Sequence, residues 1–129
     1  MSKRENTGYM DGCYSLPAGH VEEGEAFTQA AIRGALEELG VVILPGDLKV
    51  ALVMQRRTSE SKNNQRIDVF FVVNRWSGEP RNLEPHKCGD LRWSNLIELP
   101  LETVPYIRSA LLLIQENVFY SDEGWVLPP

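Results

Sequence analysis

The stretch GHVEEGEAFTQAAIRGALEELGV, Gly19 to Val41, constrains this chain more than any other. Glycines bracket it at both ends. Within it, Ala26 or Phe27, Ala30, Ala31 and Ala35 recur at helical spacing, which predicts a helix over 26–39. Gly40 is a natural stop, because glycine accepts the left-handed conformation in which helices often end. The same helix carries two adjacent glutamates, Glu37 and Glu38, and a glycine, Gly34, one turn before them. Adjacent glutamates repel unless something positive lies between them, and Mg²⁺ or Mn²⁺ with its preference for oxygen ligands would serve. A solvated acidic helix face is the other reading of such a pair.

The surroundings are those of a mixed chain. Tyr14 and its neighbours read as a short strand entering a loop at Pro17. Beyond Pro45 and Gly46, LKVALVMQRR and RIDVFFVVNRW are rich in Val, Phe and Leu and predict a hairpin with a long exposed loop, TSESKNNQ. WSGEPRNLEPHKCGD reads as a loop and LRW as a brief strand. A final helix follows, with Val104, Ile107, Leu111, Ile114 and Val118 on one face and Thr103 as its cap. The mixed order suggests an α+β fold, a sheet with helices on its faces.

With 129 residues, the length suits one domain, 1–129. A net charge of −5 argues against a broad nucleic-acid surface but leaves room for a small phosphorylated ligand carried by metal ions. No apolar run is long enough for a membrane span, and the polar start MSKRENTGYMDG predicts a cytoplasmic protein. Cys13 and Cys88 have no Cys or His at zinc-site spacing and read as free thiols.

The bracketed stretch resembles the Nudix box, in which a glycine, a glutamate, an Arg-Glu pair, a Glu-Glu pair, a glycine and an aliphatic residue stand at fixed spacing. Gly19, Glu25, Arg33, Glu37, Glu38, Gly40 and Val41 fall at those positions. The resemblance extends over most of the chain, from NTGYMDGCYSLPAGHVEEGE to the segment around Trp93. It implies an α/β/α sandwich around a mixed sheet and a MutT-like, Mg²⁺- or Mn²⁺-dependent hydrolase of a nucleoside diphosphate linked to another group. By the same resemblance Glu37, Glu38 and the backbone carbonyl of Ala18 are metal ligands, and Arg33 and Glu25 orient them. Glu84 matches the place from which some members send a further carboxylate, with a solvated loop glutamate as the alternative. Glu22 and Glu23 lie between the fixed positions and read as surface or secondary contacts.

Other residues invite two readings each. His20 is expected to be a neutral loop histidine, and Trp76 and Trp93 are expected in the core rather than stacked on a base. Arg56, Arg57 and Arg66 either meet phosphates or keep a strand edge soluble.

Two departures from the family pattern stand out. Gly34 occupies the position of the glutamate after the arginine, a residue that commonly ligates metal or handles the attacking water. A catalytically impaired binding or sensing module is therefore the alternative to an enzyme. The usual first strand also looks absent ahead of Gly19, which would leave a sheet position for a second subunit to cover and predicts a homodimer.

Overall fold

The computed structural model describes residues 1–58 and 64–125. The elements run β1 (Ser2–Arg4), β2 (Tyr14–Ser15), α1 (Phe27–Leu39), a single 3₁₀ turn (Pro45–Asp47), β3 (Leu48–Arg57), β4 (Gln65–Val73), β5 (Cys88–Leu91), α2 (Pro105–Gln115) and β6 (Tyr120–Glu123). The strands form two three-stranded sheets, ordered β2-β1-β5 and β4-β3-β6. The first is antiparallel throughout; in the second, β6 runs parallel to β3. Strands and helices thus mix as an α+β fold. Among the described residues no helix is long and apolar enough to cross a membrane.

The position expected to be empty is taken by Ser2–Arg4. β1 has neighbours on both sides, pairing Ser2 with Ser15 and with Leu91. The argument for a second subunit, which rested on that gap, loses its ground. A charged tripeptide carries little strand propensity of its own, and it is the two flanking strands that make β1 a strand.

α1 begins one residue later than the sequence pattern suggests. The side chain of Gln29 accepts a hydrogen bond from the Ala26 backbone N–H at 2.7 Å, which satisfies one donor that the helix itself leaves free. Gly40 ends the helix at φ 71°, with its N–H donating to the Leu36 carbonyl at 3.0 Å. α1 buries Ala30 and Gly34, so its inner face is made of small residues. That face lets the loop from Pro17 to Gly19 lie close against the helix axis.

α2 packs on β3. Leu52 and Met54 from the strand meet Ala110, while Val104, Ile107 and Leu111 form a second buried group, and Phe70, Tyr106 and Ile114 touch both. Thr103 is not the cap of α2. Val104 holds the cap position, and the buried Thr103 hydroxyl donates to the Pro100 carbonyl at 2.7 Å.

Arg56 also departs from both of its expected readings. It is only 8% exposed, lies with its guanidinium 3.6 Å from the Tyr106 ring centroid, and donates to Asp68 at 2.6 Å. An arginine without Asp68 in that place would be a buried uncompensated charge, so the pair is kept together by the cost of separating it. Of the predicted hairpin loop, residues 59–63 lie outside the described residues; on either side of them the Thr58 N–H donates to the Asn64 carbonyl.

Candidate active site

Three segments meet at the C-terminal half of α1: the Pro17–Gly19 loop, the helix itself, and the stretch from Arg81 to Cys88. The last is fastened by backbone hydrogen bonds, with the Arg81 N–H donating to the Leu39 carbonyl at 2.9 Å and the Leu83 N–H to the Glu38 carbonyl at 3.1 Å. A helix end has carbonyls without internal partners, and this segment supplies donors for two of them. Sequence neighbours Leu83 and Glu84 are thereby carried to the side of Glu38.

Arg33 organises the entry to the helix. Its Nε donates to Glu25 Oε2 at 2.7 Å and one terminal nitrogen donates to Glu25 Oε1 at 3.0 Å, a bidentate pair. The same terminal nitrogen donates to the His20 carbonyl at 2.9 Å, and the other donates to Glu37 Oε2 at 3.2 Å. Glu25 in turn accepts the Glu22 backbone N–H at 3.0 Å. Loop and helix are tied through one guanidinium. The Arg33 hydrogen bonds, together with the Glu22 amide, hold the Glu25 carboxyl down at about 2.

Glu38 lies in the opposite condition. It is half-buried and accepts the Ala18 N–H at 3.2 Å. Burial and the neighbouring carboxylates Glu84 and Glu37 push it up to about 7, against the smaller easing effects of the Ala18 amide and Lys87. Glu38 faces a cavity of about 360 Å³ whose walls also carry Ala18, Glu84, Lys3, Arg4 and Lys87. The lining thus holds both carboxylate and cationic side chains.

The residues singled out in the sequence are thus divided. Ala18, Glu38 and Glu84 line the cavity, whereas Glu37 leans on Arg33 and, with Glu25, stands outside the lining. The Ala18 N–H is bonded to Glu38 of α1. Among the described residues no three His, Cys, Asp or Glu side chains are gathered as a ready cage. Even so, Glu38 and Glu84 are oxygen donors facing the cavity, with His20 and Cys88 also in its lining, and burial together with the Glu84 charge leaves Glu38 short of positive charge. A carboxylate pair of this kind fits a hard divalent cation.

Gly34 is buried against the same loop. A Cβ there would sit 3.8 Å from the Gly19 nitrogen and 3.9 Å from its Cα, ordinary van der Waals distances. Packing does not demand a glycine at this position.

The tryptophans are not core residues. Trp93 is 77% exposed and Trp76 40%, and their rings stack on each other with centroids 6.1 Å apart. Each covers part of the other. His20 lies at the cavity wall, with its carbonyl engaged by Arg33. Lys3, Arg4 and Lys87 had no signal in the sequence; Lys87 lies far along the chain from the other two, and the pairing of β1 with β5 brings them together. Cys13 and Cys88 are both free thiols.

The solved structure of a MutT NUDIX hydrolase from Burkholderia pseudomallei has a similar fold, with a TM-score of 0.75 and 28% identity, covering 86% of this chain and 83% of that one. The NUDIX domain family profile matches residues 2–113, which include the whole of the helix, loop and cavity described above. On that match the chain belongs to the NUDIX domain family.

Proposed function

We propose that this protein is a metal-dependent hydrolase that cleaves the diphosphate bridge of a nucleoside diphosphate linked to another group, and that Gly34 makes it slow. The observation that carries the reading is the placement of half-buried Glu38 with Glu84 in the lining of a cavity that also bears Lys3, Arg4 and Lys87. Glu38 and Glu84, which line the cavity, would hold Mg²⁺ or Mn²⁺ there, with the Ala18 carbonyl as a further donor and Glu37 joining them on leaving Arg33. When bound, the metal would neutralise phosphate oxygens and lower the pKa of the attacking water. The work of the chain itself is distributed around that point. Lys3, Arg4 and Lys87 would take up the remaining negative charge of the diphosphate. Arg33 is the orienting residue for Glu37, and Glu25 fixes Arg33, so that the helix presents its carboxylates in one geometry. The Ala18 amide does the same for Glu38. We take 1–129 as one such domain, with its box at 19–41.

A second reading follows from Gly34. A chain that binds metal and nucleotide but lacks the carboxylate at this position would serve as a sensing module rather than an enzyme. Phosphate release across a panel of nucleoside diphosphate derivatives, with and without Mg²⁺, separates the two. Metal-dependent turnover supports the hydrolase; saturable binding of the same compounds without turnover supports the sensor. A panel that neither binds nor turns over would remove both.

A further inference from the structure

The turn from Glu84 to Cys88 is closed by a single side chain. Asn82 Oδ1 accepts the Glu84 backbone N–H at 3.1 Å, and its Nδ2 donates to the Cys88 carbonyl at 2.7 Å. One amide therefore bonds both ends of the turn. The orientation of the amide follows from its partners, since a carbonyl can only be met by the nitrogen and an N–H only by the oxygen. Inside the turn, the Glu84 carbonyl accepts the N–H groups of both Lys87 and Cys88 at 2.9 Å. Its outer anchors are the α1 carbonyls already described and, on the other side, β1 and the residues after it: the Glu5 N–H donates to the Lys87 carbonyl, and Asn6 Nδ2 to the His86 carbonyl, both at 3.0 Å. These fix where the segment lies. Asn82, with the Glu84 carbonyl, fixes how it is folded.

Asn82, Glu84 and Lys87 all line the cavity with Glu38. A loop of this kind, left to itself, would let Glu84 swing toward solvent, where a carboxylate is better hydrated than beside Glu38. The two Asn82 bonds oppose that. Aspartate could not replace it, having no donor for the Cys88 carbonyl and adding a third negative charge to a lining that holds Glu38 and Glu84. Glutamine carries one more methylene and cannot form the same short ring to the amide two residues on.

We propose that Asn82 is a positioning residue that holds Glu84 against Glu38 and so completes the divalent-cation site, an inference that rests on the metal reading of the cavity given above. The test is Mn²⁺ binding by the full chain, followed from the EPR signal of free Mn²⁺, in wild type, Glu38→Gln, Glu84→Gln, Asn82→Leu and the double variant Asn82→Leu/Glu84→Gln. Asn82→Leu is expected to weaken Mn²⁺ binding by about tenfold. In the Glu84→Gln background the same change is expected to cost less than about twofold, because the carboxylate it positions is gone. Should Asn82→Leu not fold, Asn82→Ser carries the comparison. A serine hydroxyl still accepts the Glu84 N–H but does not reach Cys88, and a loss of about threefold, again confined to chains with Glu84, is expected. Equal weakening in both backgrounds, or none in either, overturns the proposal. If Glu38→Gln binds Mn²⁺ as wild type does, the metal reading falls and takes the proposal with it; if binding needs Glu38 but ignores Asn82, only the proposal falls.

Discussion

Two glutamates thirteen positions apart in one motif, Glu25 and Glu38, meet opposite environments. Glu25 has a bidentate arginine and a backbone amide, and its carboxyl is held at about 2. Glu38 has one backbone amide, a buried setting and two carboxylate neighbours, and is pushed to about 7. The first is complete within the protein, while the second is short of positive charge. A fold tolerates such a deficit where something else supplies the charge, and for that reason a perturbed carboxylate in a cavity points to a functional site. On the proposed function, the Arg33 end of α1 supports the site and the Glu38 end carries its chemistry.

Removing Glu38 should break the contrast most severely. Glu38→Gln keeps the shape and the Ala18 contact but supplies no charge for a metal, and metal-dependent turnover of the best substrate is expected to fall by at least about 100-fold. Glu25→Gln, which acts only through Arg33, should cost no more than about tenfold in turnover. Comparable losses of turnover in the two variants would erase the distinction.

The next effect concerns Gly34, which shares a helix face with Glu37 and Glu38. General-base assistance is worth ~10²–10⁴ in rate, so Gly34→Glu should raise metal-dependent turnover by at least about tenfold. Gly34→Ala is the control, since both replacements favour the helix by up to about 1 kcal/mol and the space around position 34 admits a Cβ. A gain in both variants would credit helix stiffness instead of the carboxylate. No gain in either would mean that another residue does this work or that the domain binds without turnover.

Arg33→Lys should produce a loss of about tenfold in turnover, because an ammonium cannot hold Glu25 in two bonds while reaching Glu37 and the His20 carbonyl. Unchanged turnover would release Arg33 from its orienting role.

How far these residues were legible in sequence depends on what decides each of them. Glu25, Arg33, Glu37 and Glu38 lie on one helix and the loop before it, where spacing alone dictates proximity, and the pattern could be read directly. Gly34 stood out by the same spacing. Lys3, Arg4 and Lys87 share a cavity only because β1 is inserted between β2 and β5, and no local signal encodes that. β1 and β6 are short and polar, so their partners rather than their propensities make them strands. Arg56 is buried among neighbours that include Asp68 and Tyr106, and Trp93 stays exposed although Trp76 stacks on it. Burial of a long or aromatic side chain is a property of its tertiary neighbours, which composition does not report.

The smallest expected effect is on pH dependence without metal. The carboxyl of Glu38 sits above its ordinary value in the folded chain, so the folded state binds the extra proton more readily than the unfolded state. In chelator, its contribution to folding is therefore fully present below about 4.5, the ordinary carboxyl value, and is lost as pH rises from there through about 7. Thermal unfolding between pH 8 and pH 6 should show this slope in wild type and a flatter one in Glu38→Gln. Identical slopes would mean that Glu38 is not the strained group.

The central claim, that the Glu38 end of α1 awaits a divalent cation, is tested most directly by thermal unfolding of wild type and Glu38→Gln with Mn²⁺ against chelator. A ligand at about 100 times its Kd adds about 2.7 kcal/mol to the native state, which for a domain of this size is a rise of roughly 10 °C. The account predicts a rise of that order in wild type and almost none in Glu38→Gln. An equal rise in both, or none in wild type at saturating Mn²⁺, would contradict it.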